Sequence, residues 1–256
     1  MSVAMWRVVL VGVGYGLWRR RSARLARMAE DYGAYWRRRA RRPGELRYLA
    51  LGDSLAQGLS ARRPEYGFVG LLADQLASSA GLEIGVLNWS VTGATVADVL
   101  SDQLLRLAAL AESAGPPVGL VTVCVGSNDV GRTELDRFRA QFRELCAALP
   151  AGALVADLPD FRRGPHREVA VRYARCCRDV LAEFPELRAV RLERATRTLR
   201  VRELGPDLAH PGDAGHRRYA AAFARAAAFV QAGVGARAGV GAQAGAGPWA
   251  GGVARG

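Results

Sequence analysis

From residue 46 onward, short apolar runs alternate with amphipathic stretches. Runs over 47–51, 82–87, 119–125, 153–158 and 188–192 have strand length and composition, and predict five β-strands. The third run is apolar except for Thr122, which predicts a central strand buried on both faces. Between the runs, apolar residues recur at helical spacing. Phe68, Leu71, Leu72 and Leu76 mark one helix, and Val96, Val99, Leu100, Leu107 and Leu110 mark another. Leu135, Phe138, Phe142, Leu145 and Leu149 mark a third with Thr133 as its cap, and Val169, Tyr173, Cys176, Val180 and Phe184 mark a fourth. Asp213 is expected to cap a last helix reaching about Val230. Strands alternating with helices predict an α/β domain, three layers deep, with a central, mainly parallel five-stranded sheet and helices on both faces. In such sheets ligands sit beyond the carboxyl ends of the strands.

The ends of the chain follow other patterns. Residues 1–18 are almost entirely apolar apart from Arg7, and Arg19, Arg20 and Arg21 follow at once. This stretch is short and interrupted for a spanning helix, and its charge lies on the wrong side for a cleaved signal peptide. Leu25, Met28, Tyr32, Tyr35 and Trp36 then recur at helical spacing among arginines, the pattern of a basic amphipathic helix. Two uses stay open for that stripe: packing on the domain, or contact with an anionic membrane through residues 1–42. The resulting division is a basic appendage (1–45), a folded domain (46–231) and a Gly/Ala-rich tail (232–256) expected to be disordered.

Charge sharpens this division. The chain has 256 residues and a formal net charge of +12, with every one of its 36 basic residues an arginine. Three quarters of that excess falls in the first 47 residues, so the folded part is close to balanced. That distribution argues against nucleic acid as the partner, because a nucleic-acid surface needs the excess on the folded face. The positive-inside rule and four cysteines without disulfide-like spacing both point to a cytoplasmic protein, peripheral or N-terminally anchored at the inner face of the membrane. The cysteines read as buried thiols.

Candidate chemistry gathers where the strands end. Gly52-Asp53-Ser54-Leu55 closes the first strand and puts a serine hydroxyl at the sheet rim, or caps the helix that follows. Of three histidines, His210 follows Asp207 by three residues, so a carboxylate can reach one ring nitrogen and leave the other to a serine. His216 lies inside the last helix, where packing or hydrogen bonding is its expected role. His166 falls in a basic loop over 161–167. Donors for a developing oxyanion come from Gly93, in Asn88-Trp89-Ser90-Val91-Thr92-Gly93, and from Asn128, in Gly126-Ser127-Asn128-Asp129.

These four clusters, in this order, resemble the blocks of the SGNH, or GDSL, hydrolases over about residues 46–230. The resemblance implies a flavodoxin-like α/β/α fold and a serine esterase that hydrolyses lipid, lysophospholipid or acetyl esters through an acyl-enzyme. It implies Ser54, Asp207 and His210 as catalytic residues, with the Ser54 and Gly93 N–H groups and the Asn128 amide as the oxyanion hole. No metal or organic cofactor is implied. The same site could serve an acyltransferase, or a binding module that has lost catalysis. Two positions depart from the family pattern. Ser90 stands where glycine is common and is expected to alter the turn. Ala56-Gln57 stand where a small hydroxyl residue is common and are expected to alter the pocket wall.

Overall fold

The computed structural model of the protein describes residues 22–161 and 167–237. The apolar stretch 1–18, the loop segment 162–166 with His166, and tail residues 238–256 lie outside the described residues.

Helix α1 covers residues 22–39. Strand β1 (Leu46–Gly52) leads directly into the short helix α2 (Ser54–Gln57), and α3 spans Phe68–Ala80. After β2 (Ile84–Asn88), α4 (Val96–Asp98) continues through a wider π turn (Val99–Gln103) into α5 (Leu104–Ala111). Then come β3 (Val118–Cys124), α6 (Leu135–Ala147), β4 (Leu154–Ala156), α7 (Arg167–Leu181), β5 (Arg188–Val190), α8 (Leu192–Thr196) and α9 (Asp213–Arg237).

The five strands form one sheet in the order β2-β1-β3-β4-β5, parallel throughout. Alternation along each strand divides the core in two. Leu49, Leu51, Val121, Val123 and Val155 face the layer made by α4 through α7. Tyr48, Ala50, Leu120, Leu154 and Ala156 face α1, α3 and α9. Thr122, the polar residue of the central strand, hydrogen-bonds the Tyr48 hydroxyl at 3.0 Å, which removes the cost of burying both. Phe68 of α3 and Phe223 of α9 stack at 4.6 Å, and losing either ring would cost about 3–5 kcal/mol. All four cysteines are buried thiols.

Three local expectations change. Thr133 does not cap α6. Its hydroxyl bonds the Asp129 carboxylate at 2.9 Å, and Glu134 takes the cap position without a side-chain bond. Asp213 is the first residue of α9, but its carboxylate accepts from the backbone N–H and guanidinium of Arg62. The α9 backbone runs to Arg237 rather than ending near Val230, since extending an existing helix costs far less than starting one.

The amphipathic stripe of α1 faces inward. Trp36 and Tyr32 are buried, and Tyr35 packs beside them. The Trp36 indole N–H donates to Gln57 O at 2.9 Å, and the Tyr32 hydroxyl donates to Ala61 O at 2.6 Å. The stripe thus packs on the domain, with Arg24, Arg27, Arg37 and Arg38 on the outside. Among the described residues, no helix is long and apolar enough to cross a membrane.

Candidate active site

The strand order reverses direction between β1 and β3, and the loops after β1, β2 and β3 meet there. Gly52 ends β1 with φ +139°, and a Cβ at that position would stand 2.0 Å from Cys124 O. Only glycine lets the chain turn here while β1 stays against β3. Asp53 then caps α2, accepting from Leu55 N–H at 2.9 Å, and Ser54 is the first residue of that helix.

His210 arrives from a loop closed by Gly205 N–H to His210 O at 2.8 Å and by a bridge between Leu204 and Pro211. Leu208 holds a left-handed φ of +60°, a strained conformation for leucine, so that the chain can fold back on Asp207. One Asp207 oxygen accepts from the Ala209 and His210 N–H groups at 3.1 Å each, and the other faces His210 Nδ1 at 2.5 Å. Burial opposes the charge on Asp207, but the imidazole and the two backbone N–H groups outweigh it and hold the carboxyl below its ordinary range. With Nδ1–H committed to Asp207, Nε2 presents its lone pair to Ser54 Oγ, 2.9 Å away. The structure thus brings Ser54, His210 and Asp207 into one hydrogen-bonded line.

The two remaining predicted positions lie on the loops after β3 and β2. Asn128 Nδ2 donates to Ala94 O at 2.9 Å and lies 3.5 Å from Asp53 Oδ2. Gly93 sits in the turn closed by Ala94 N–H to Val91 O, with φ +87° and open space where a Cβ would be. The next carboxylate, Asp129, ties the loops together by accepting from Val96 N–H at 3.1 Å.

The two family departures have structural consequences. The Ser90 hydroxyl donates to Asn88 Oδ1 at 2.5 Å and tightens the loop after β2. Gln57 does not border the cleft. It is buried behind α2, where its Oε1 accepts from the Thr92 hydroxyl, so the expected change of pocket wall does not occur.

A cavity of about 970 Å³ opens from Ser54, Asn128 and His210. Its walls include Phe161, Val171, Leu199, Val201, Leu204 and Leu208, with Arg167, Arg197 and Arg200 among them. Val171, Val201 and Leu208 are exposed apolar side chains, which a folded surface rarely leaves around a concave site without use.

Sequence reasoning missed two residues here. Asp53 is fully buried beneath Ser54; burial pushes its carboxyl up to about 7, against the Leu55 N–H and the His210 charge. Gln103 hydrogen-bonds both backbone groups of Gly52. Its one signal in the sequence was an amide on the inward stripe that carries Val96 and Val99.

Residues 50–234 match the GDSL-like Lipase/Acylhydrolase family. Among solved structures, an acetylxylan esterase from Geobacillus stearothermophilus is similar, with TM-score 0.56 and 24% identity over 70% of this chain and 93% of that one. An alpha/beta hydrolase enzyme from the metagenome of Lake Arreo, Spain, is similar with TM-score 0.57 and 20% identity over 71% of this chain and 94% of that one. Catalytic mutants of the Geobacillus esterase replace a serine, a histidine and the aspartate three residues before that histidine. Among curated proteins, none matches the chain.

Proposed function

Since the chain belongs to the GDSL-like Lipase/Acylhydrolase family, whose members are ester hydrolases, we propose that it cleaves carboxylic esters with Ser54 as nucleophile. The observation that carries this reading is the continuous line from Ser54 Oγ through His210 to Asp207, at 2.9 and 2.5 Å. Ser54 Oγ attacks the ester carbonyl while His210 Nε2 takes its proton. Asp207 holds the ring in the Nδ1–H tautomer and stabilises the imidazolium. The Asn128 amide and the Ser54 and Gly93 N–H groups meet the oxyanion. His210 then gives its proton to the leaving alcohol, a water activated by His210 attacks the acyl-enzyme, and the acid departs.

The cavity of about 970 Å³, with its aliphatic wall, has room for an acyl group larger than acetyl or for the alcohol portion of the ester. The pattern of catalytic mutants in the Geobacillus esterase supports the roles given to Ser54, Asp207 and His210. The test is turnover of a p-nitrophenyl ester by Ser54→Ala, His210→Ala and the double variant. Nucleophile and base act as one unit, so the double variant is expected to be little worse than either single one. Near-normal turnover in Ser54→Ala would sink the reading.

A further inference from the structure

At the carboxyl end of β1 the sheet loses a neighbour. β2 stays in register with β1 only as far as the pair Ala50 and Asn88, after which it leaves as the loop carrying Gly93. The departing chain still reaches back through Trp89 N–H to Ala50 O at 2.9 Å and Val91 N–H to Gly52 O at 3.1 Å. Gln103 supplies what the missing strand would have given. Its Oε1 accepts from Gly52 N–H at 2.8 Å, and its Nε2 donates to Gly52 O at 2.9 Å. A primary amide carries the same donor and acceptor as a peptide group, so the side chain stands in for a strand residue. Gln103 is 1% exposed, and both of its polar atoms are committed to this one residue.

The two bonds do more than satisfy buried groups. The Gly52 N–H belongs to the peptide unit before this glycine and its C=O to the unit after it. Holding both fixes φ and ψ of the residue with the widest conformational range, two positions before Ser54. The clamp comes from the last residue of the π turn, whose i to i+5 bond joins Leu104 N–H to Val99 O. Such turns inside α-helices recur at functional sites.

We infer that Gln103 is a positioning residue for the nucleophile, its amide locking the Gly52 turn that aims Ser54 at His210. This rests on the reading of Ser54 as nucleophile. The amide is required for its donor–acceptor pair and not for its volume, because an apolar side chain of similar size leaves Gly52 N–H unpaired and Gly52 O held by Val91 N–H alone, which loosens the turn.

The test compares full-length wild type, Gln103→Leu and Gln103→Glu. Kinetics on p-nitrophenyl butyrate and labelling of Ser54 by a phosphonate ester are followed below the melting temperature of each. Gln103→Leu is expected to lose about 10- to 100-fold in kcat and in labelling rate with KM almost unchanged, because misplacement of the attacking atom affects reaction more than binding. At about pH 8 an ionised Gln103→Glu side chain still accepts from Gly52 N–H but sets a charged oxygen against Gly52 O in place of the donor, so its kcat should fall well below wild type. Towards about pH 5 the buried carboxyl protonates, regains one donor and one acceptor, and its kcat relative to wild type should rise roughly fivefold or more. Gln103→Leu should show no such recovery. Should Gln103→Leu fail to fold, the pH dependence of Gln103→Glu decides alone. A folded Gln103→Leu with wild-type kcat overturns the clamp, as does a Gln103→Glu to wild-type ratio that does not change with pH. Wild type that neither turns over ester nor labels at Ser54 overturns the nucleophile reading and the clamp with it.

Discussion

His210 and His216 stand on the same segment but meet different surroundings. His210 is partly open to the cleft, while His216 is fully buried, with Nε2–H donating to Leu59 O at 3.1 Å and Nδ1 facing Phe68 N–H at 3.4 Å. Burial pushes its pKa down from 6.5 to about 4. The folded protein therefore refuses a proton that the unfolded chain accepts, and this stabilisation, whole above pH 6.5, is lost as pH falls towards about 4. The loss is on the order of 3 kcal/mol, and melting temperatures of His216→Gln should fall less steeply than wild type across that window. Asp53 has the opposite sign. Its pKa is raised from 3.8 to about 7, so its contribution is whole below 3.8 and disappears as pH rises through about 7. Asp53→Asn should accordingly gain in melting temperature over wild type as pH increases across that range. Asp207→Asn should reduce kcat by about 10²- to 10⁴-fold by favouring the wrong tautomer, with little change in KM. Ser54 and the Asp207–His210 pair were legible as neighbours because each lies in a few contiguous residues, one at the end of the first strand and the other in the loop before the last helix. Gln103 was not, because its role exists only once residues 51 positions apart in the chain are brought together.

The strands and the main helices were legible as elements, since period and length separate a buried strand from an amphipathic helix. What escaped was the use each element makes of its polar residues. Thr133 looked like a cap and instead donates its hydroxyl to the Asp129 carboxylate, while Glu134 holds the position before the helix. The π turn left no sequence signal, since a single widened turn preserves an apolar stripe on either side of it. Helix α1 lies before the family match, yet its Trp36 hydrogen-bonds the last residue of α2 and its Tyr32 the segment just after it. The same Gln57 that accepts from Trp36 takes the Thr92 hydroxyl, next to Gly93. Trp36→Phe keeps the ring and removes only the N–H, leaving Gln57 O unpaired in a buried setting. It should cost about 1–3 kcal/mol of stability, measured by urea denaturation. An unchanged midpoint would mean that water replaces the indole.

At the scale of the molecule, a parallel sheet brings three loop ends and one returning loop to a single cleft with a large apolar wall. That arrangement predicts a preference among substrates. kcat/KM should increase from p-nitrophenyl acetate to the hexanoate by about tenfold or more, since each buried methylene is worth roughly 0.8 kcal/mol. A flat or falling series would show that the wall does not contact the acyl chain. The central claim is that Ser54 carries the acyl group. It is tested most directly by reacting the full-length protein with a phosphonate ester and locating the adduct by mass spectrometry. The account predicts one equivalent bound to Ser54, no labelling of Ser54→Ala, and strongly slowed labelling of His210→Ala. An adduct on another residue, or ester hydrolysis that persists in Ser54→Ala, would contradict it.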